Sequence, residues 1–417
     1  MTAGTSSGGR EEKVAAILAA FIGLAAGYPS SYGATATTFI LPLTQEFGWT
    51  RFVPALMYFC SMSGIALSSI WLGRVIERFG SAAVAASSGL CLAMVLVALG
   101  SQTGSIALAL VTSFLAGALG AGTSVGLYLS ALPRWFDRDL GRALGISIVG
   151  MSVGVTLMPA LAALVSNTSG WRTAYYTLAA VQLGLTLCAS LVLFWLSRRN
   201  SVVAGAKSNE DQTGIPLSQA LQTRSFWRLS AIVLLATLGV FGPSFQLFPL
   251  YSDRGVAPSL LPIVAIALGI GTLLGRLCSG VLLDYVDARF VAFGTFALAA
   301  VGVIWLSIFD HAHSIAALCI PPLLIGSALG AESDIVAYLV RRFYGLRDHA
   351  AIYNRVLVAY YLGAVAGPLG LGWAFNHLAN VNVALMIVAA SSIAACALVV
   401  TLPSPGIRVP VEPLDFQ

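Results

Sequence analysis

Arg276 sits where an arginine is costly. It is the only charged residue between Arg254 and Asp284, in the run GVAPSLLPIVAIALGIGTLLGRLCSGVLL. About 20 apolar residues suffice to cross a bilayer, so this run is long enough. Asp284 lies eight positions on. At about 1.5 Å per residue Arg276 is then ~12 Å from the helix end, close to the middle of a ~30 Å hydrocarbon layer. A guanidinium at that depth costs about 2.5–3.5 kcal/mol even on the mildest scale, so it requires a partner or a water-filled cavity. Its planar fork of donors stays charged and can grip a carboxylate through two parallel hydrogen bonds. Gly269, Gly271 and Gly275 leave little bulk on the turns before it. Two readings follow: Arg276 anchors an anionic ligand, or it pairs with a protein carboxylate and locks two helices. Charges inside a membrane usually mark pathways, which favours the first.

Other residues able to do chemistry are few. Glu332 and Asp334 fall in GALGAESDIVAYLVRRF. Two apart on a helix, they point to different sides and do not share one partner. Asp334 and Arg355 both lie ~10 Å from the ends of their helices by the helix rise, so the spacing predicts an Asp334–Arg355 pair acting as a lock or gate. Glu332 is deeper, and is expected to be a proton acceptor or an alternative partner of Arg276. Tyr28, Tyr128, Tyr360 and Gln246 fall mid-run and suit the oxygens of a small acid. Phe241 and Phe248 suit an apolar wall. Each also fits ordinary helix packing. His311, His313 and Asp310 are too few for a confident metal site, so no metal is expected. No Ser-His-Asp order, phosphate-binding glycine loop or nucleotide motif is present. Neither an enzyme, nor ATP-driven transport, nor a cofactor is therefore expected.

These residues must be positioned by apolar helices. The chain has 417 residues, 58% hydrophobic and 9% charged, against about 25% charged in soluble domains. Its charge of +5 is gathered in short loops, which argues against nucleic acid as a partner. The six cysteines lie in apolar stretches without CxxC spacing and read as packing residues. No signal-peptide cleavage pattern is seen before the first apolar run. Spans are predicted at 14–45, 53–73, 81–100, 104–133, 143–165, 172–196, 226–251, 258–283, 289–309, 314–340, 350–376 and 382–402. Gly27, Pro29 and Gly33 predict a bent or broken first span. With both termini inside, seventeen Lys and Arg residues fall on the cytoplasmic side and three (Arg51, Arg172, Arg254) outside, the bias expected of a multi-pass protein of the cell's inner (plasma) membrane.

The longest polar connection, 201–224, divides the chain into a six-helix bundle at 1–200, a cytoplasmic linker, and a second six-helix bundle at 225–417. The halves echo each other. GRVIERFG (Gly73 to Gly80) follows the second span and GVLLDYVD (Gly280 to Asp287) the eighth. Arg134-Trp135-Phe136 closes the fourth span and Arg342-Phe343-Tyr344 the tenth, while Pro159 in the fifth matches Pro368 in the eleventh. Repeats of this kind mark transporters whose site lies at the repeat interface.

These features resemble the major facilitator superfamily. Its loop signature, Gly-x3-Asp-Arg-x-Gly followed by basic residues, is matched by Gly73, Glu77, Arg78 and Gly80, with glutamate for aspartate and no trailing basic pair. In the second half Gly280 and Asp284 fit, but Tyr285 and Asp287 replace the arginine and glycine. The resemblance implies an all-α membrane protein with twelve transmembrane helices in two pseudo-symmetric six-helix bundles. It also implies that the Arg78 counterpart stabilises the outward-open state. EFGWTR, GLYLSALPRWF, GRLCSG and AVAGPLG further resemble the monocarboxylate-porter and oxalate/formate-antiporter branch. Members of that branch bind substrate carboxylate with an arginine in the eighth span, where Arg276 falls. Tyr360 stands where the dicarboxylate antiporter has a lysine, which favours a single carboxylate. Thr272 stands where the animal porters have an aspartate, so the proton partner lies elsewhere.

The expected function is secondary transport of a small organic anion, a lactate- or pyruvate-like monocarboxylate, by proton symport with alternating access, in a protein that acts as a monomer. Carboxylate exchange and proton-coupled transport of larger amphiphiles (drugs or siderophores) are the alternatives.

Overall fold

The computed structural model describes residues 7–49, 52–136, 139–203, 214–257, 260–308, 315–377 and 381–402. Twelve helices among these residues are long and apolar enough to cross a membrane, from Gly9–Gly33 to Val381–Val400. Large apolar side chains such as Leu191, Phe290, Trp373 and Ile387 are more than half exposed, a surface suited to lipid rather than water. His311, His313 and Asp310 lie outside the described residues.

Two compact units are present. The first comprises Met1–Gly214 with Gly345–Arg355, and the second Ile215–Tyr344 with Val356–Gln417. The eleventh-span helix, His349–His377, thus contributes its first residues to the first unit and the rest to the second.

Both units repeat one packing scheme. In the first, span 2 packs on span 4, span 1 on span 5 and span 3 on span 6; in the second, span 8 packs on span 10 and span 9 on span 12. Glycines permit the closest approaches. Gly117 lies against the Ser61 carbonyl, Gly150 against that of Phe21 and Gly154 against that of Ala25. In the second unit, Gly363 and Gly367 of span 11 lie against the Leu234 and Leu238 carbonyls of span 7. Small residues matter here because lipid tails are as apolar as leucine, leaving close packing to hold helices together.

The first span breaks as its residues predict. The α-helix ends at Ala26, and Pro29–Gly33 forms a π-helical turn. Gly27 packs on the backbone of Thr123, and the Ser30 and Ser31 hydroxyls donate to the Leu24 and Gly27 carbonyls. The fourth span differs from expectation. Sequence alone predicts one run over 104–133, but a 3₁₀ turn at Ala121–Thr123 separates Ile106–Gly120 from Val125–Ala131. The Thr123 and Ser124 hydroxyls donate to the Gly120 and Ala121 carbonyls, replacing helix bonds without a proline.

A polar staple ties three segments of the first unit. Glu46 accepts from Trp171 Nε1 at 2.6 Å and pairs with Arg172 at 2.7 Å, while Arg172 also donates to the Gln102 carbonyl at 3.2 Å. The Trp171 and Arg172 hydrogen bonds hold the Glu46 carboxyl below its usual range. A depressed acid stabilises the fold above its unfolded pKa, and loses that contribution as pH falls through the folded value. Thermal melts should therefore show a larger midpoint drop on acidification below pH ~4 for the parent than for Glu46→Gln. In the second unit Arg254 ties the corresponding places, donating to the Leu306 carbonyl and, at 2.7 Å, to Asn382 Oδ1.

Candidate substrate site

The second unit gathers the buried charges. Arg276 (helix Leu261–Tyr285) is 6% exposed, while Glu332 and Asp334 (helix Ile315–Tyr344) are 1% and 0% exposed. Burial of this depth is tolerated only where charges meet partners.

Their placement follows from how span 8 and span 10 touch. Gly271 lies against the Leu323 carbonyl and Gly275 against that of Ser327. In return Gly326 lies against Leu268 and Thr272, and Gly330 against the Thr272 carbonyl and the Arg276 amide. Both sequences are small-xxx-small pairs, GTLLG and GSALG. The contacts advance together along both chains, so the helices run parallel and nearly backbone to backbone. One turn beyond Gly330 on the same face is Asp334, which this register sets beside Arg276. The two charges lie within electrostatic reach of each other, and Tyr360 of span 11 lies within reach of Arg276.

Glu332 turns elsewhere. Its Oε1 is hydrogen-bonded to the Thr237 hydroxyl of span 7, and that hydroxyl also sits 2.6 Å from the Val233 carbonyl. A hydroxyl has one proton to give. That one proton is shared between the Glu332 carboxylate oxygen and the Val233 carbonyl, so Thr237 ties span 7 to span 10. Thr237 was not anticipated from sequence, because a threonine in an apolar helix ordinarily just back-bonds to its own helix.

The arrangement corrects two expectations. Asp334, not Glu332, is the carboxylate set against Arg276. The expected Asp334–Arg355 pair is replaced too: Arg355 belongs to the first unit, where its Nε donates to the Ile70 carbonyl at 2.9 Å. Register between helices, which spacing along one helix does not contain, decides both.

Other expected site residues are distributed as follows. Tyr360 packs edge-on to Phe241 at 5.6 Å. Gln246 Nε2 donates to the Pro368 carbonyl at 3.4 Å, a helix-to-helix bond in the second unit. In the first unit the Tyr28 hydroxyl donates to Ser61 at 2.9 Å and its ring stacks on Tyr32. Tyr128 is 1% exposed, its ring filling the notch left by Gly23, and its hydroxyl has no hydrogen-bond partner among the described residues. A groove of about 410 Å³ lined by Leu274, Cys278, Leu282, Phe290 and Leu298 carries no charged side chain and does not include Arg276, and its Ser279, Thr295 and Ser327 hydroxyls donate to carbonyls of their own helices, so it offers a carboxylate no cation.

The loop signature is built into the first unit. Gly73 leaves room for the backbone of Ala351, and Glu77 Oε1 accepts from the Ala351 amide at 3.1 Å. A carboxylate there caps the start of the His349–His377 helix. Asn354, missed by sequence reading, donates to the Gly126 carbonyl at 3.0 Å beside it. Arg78 lies over the Phe79 ring, and Gly80 turns the chain at φ 82°. The second copy turns differently. Asp284 is half-buried, and Asp287 stands where Gly80 would be. Asp287 accepts from the Arg289 amide at 2.9 Å, capping the next helix, and pairs with the Arg289 side chain, which reaches the Leu402 carbonyl. Partial burial raises the Asp287 carboxyl, but the Arg289 hydrogen bonds outweigh it and leave it below the usual range. A capped turn without positive φ needs no glycine.

Twelve apolar helices in two units of repeated packing, with a buried cation among them, define a multi-pass membrane transporter. Residues 21–368 match the Major Facilitator Superfamily, and the chain belongs to that family. It is similar to Monocarboxylate transporter 13 of Bos taurus (24% identity, covering 80% of this chain and 79% of the relative). It is also similar to Monocarboxylate transporter 11 of Mus musculus (26%, covering 88% and 81%). Among solved structures, the proton:xylose symporter XylE shares the fold, with a TM-score of 0.71 at 11% identity over 95% of this chain and 97% of that one.

Proposed function

We propose that this transporter carries a small organic anion bearing one carboxylate, in symport with a proton and by alternating access, across the cell's inner (plasma) membrane with both termini cytoplasmic. The observation that carries the reading is Arg276, a guanidinium buried among apolar helices, with Tyr360 nearby. Only an anion exploits such a group, and a planar carboxylate fits its fork. The similarity to proteins named monocarboxylate transporters supports the same substrate class. Tyr360 at the expected lysine position supports one carboxylate rather than two. Tyr28, Tyr128 and Gln246 are proposed as further substrate contacts, and Asp334 of span 10 as the route of the proton, with Arg355 and the loop around Glu77 and Arg78 as gating elements. The carrier is proposed to work as a monomer.

The experiment is uptake of labelled lactate, pyruvate and benzoate into proteoliposomes. Accumulation driven by an inward proton gradient is expected, with amides of the same acids and dicarboxylates excluded. Equal-rate exchange that ignores the gradient would select carboxylate exchange instead. Transport of uncharged or cationic amphiphiles in place of acids would select the drug or siderophore reading.

A further inference from the structure

Asp334 is the most enclosed charge in the second unit, at 0% exposure. Its Oδ1 is held by the neighbouring Ser333 hydroxyl at 3.4 Å, and its Oδ2 has no hydrogen-bond partner among the described residues. A buried carboxylate in that state is stable only beside a cation or with a proton. The glycine contacts of span 8 and span 10 supply the cation, because Gly330 already touches the Arg276 amide and Asp334 is one turn further on. The groups facing this carboxylate are Arg276 from span 8 and, beyond it, Tyr360 from span 11. Glu332, on the same helix, is engaged by Thr237 of span 7. Thr272 leaves no acidic group one turn before Arg276 on its own helix.

We propose that Asp334 is the internal counter-ion of Arg276, displaced by the substrate carboxylate, and that the cotransported proton is the one Asp334 takes up on displacement. This rests on the reading of Arg276 as a carboxylate anchor. Charge balances at each stage. In the empty carrier Arg276 and Asp334 neutralise each other. When a monocarboxylate takes the guanidinium, Asp334 is left as a buried anion, and one proton from solvent binds its carboxylate oxygen. The loaded site again carries no net charge. Release of substrate returns Arg276 to Asp334, which gives the proton up. One anion and one proton cross together, and no bond other than the O–H forms or breaks. Glu332, engaged by Thr237 of span 7 and turned away from Arg276, takes no part in the exchange of partners.

Two measurements test this. Calorimetric titration of the detergent-purified protein with lactate, pyruvate or benzoate in buffers of different ionisation heat counts protons taken up per ligand bound. The parent and Glu332→Gln should take up about one, and Asp334→Asn none, with affinity raised several-fold because the competitor for Arg276 is gone. In proteoliposomes Asp334→Asn should lose gradient-driven accumulation yet retain exchange, while Glu332→Gln keeps both. Ligand binding to the parent without proton uptake would overturn the assignment and leave the carboxylate reading standing. So would an Asp334→Asn carrier that still accumulates substrate, or a Glu332→Gln carrier that alone loses accumulation. Should Asp334→Asn fail to fold, the parent's proton count decides. Failure of the parent to bind any of the three acids would overturn the earlier reading and this one with it.

Discussion

Arg276→Ala should abolish the proposed carboxylate uptake while the protein still inserts and folds. Truncating one partner of a buried, hydrogen-bonded charge pair costs about 2–5 kcal/mol, roughly 30- to several-thousand-fold in affinity. At the upper end no saturable uptake remains at millimolar substrate. Insertion is not at risk from losing the charge, since a guanidinium near the midplane opposes insertion. The exposed cost is instead on Asp334, left buried without its cation and forced to hold a proton. The Arg276→Gln/Asp334→Asn double variant removes that complication: it should melt close to the parent and bind no acid. Arg276→Lys should fall between, keeping charge but losing the two-pronged grip. Unchanged uptake in a correctly inserted Arg276→Ala carrier would end the anchor reading.

Gly330→Leu should prevent the second unit from folding. A Cβ at Gly330 would stand 2.0 Å from the Thr272 carbonyl oxygen and 3.1 Å from the Arg276 amide. Both are backbone atoms, so no side chain can swing away, and span 8 and span 10 must separate. Inserting bulk into a packed interior typically costs about 1–3 kcal/mol, and a clash between main chains falls at or above the top of that range. Gly330→Ala should lower the melting midpoint in detergent by several degrees, and Gly330→Leu should yield aggregate on size-exclusion chromatography. Gly294→Ala and Gly370→Ala, where nothing lies within 4 Å, are the matched controls and should be silent. A well-behaved Gly330→Leu protein would show that the two helices are not packed as described.

What sequence could and could not reveal divides along a physical line. A membrane span is a local property, readable from about 20 consecutive residues, so the twelve helices, the break at Pro29 and the isolated arginine were all legible. The break in the fourth span was not, because hydroxyls at Thr123 and Ser124 do there what a proline would have announced. The choice between Glu332 and Asp334 was hidden for a different reason. Both sit in one helix with similar credentials, and only the lateral register against span 8 distinguishes them. Part of the signal existed in GTLLG and GSALG. Those motifs mark the two helices as close-packed, but the offset that brings Gly330 onto Thr272 and Arg276, and so Asp334 toward the guanidinium, is seen only in the structure. Thr237 and Asn354 carried no such mark, since each looks like any polar residue in an apolar helix.

The glycine contacts also have a mechanical meaning. Helices joined main chain to main chain at four places, where a Cβ added at Gly275, Gly271, Gly326 or Gly330 would stand only 1.9 to 2.3 Å from the facing carbonyl oxygen, cannot slide past one another without lifting apart. Span 8 and span 10 therefore behave as a single beam, and Arg276, Glu332 and Asp334 travel on it as fixed passengers. Gly242 and Gly367, between span 7 and span 11, meet more loosely, an added Cβ there standing 2.8 to 3.1 Å from the nearest facing backbone atom. Movement around the charges is then carried by the helices that bear Thr237 and Tyr360. The beam keeps the backbones that carry the guanidinium and its carboxylate in fixed register, so any exchange of partners between them is made by side chains alone, while the seventh and eleventh spans decide what else approaches.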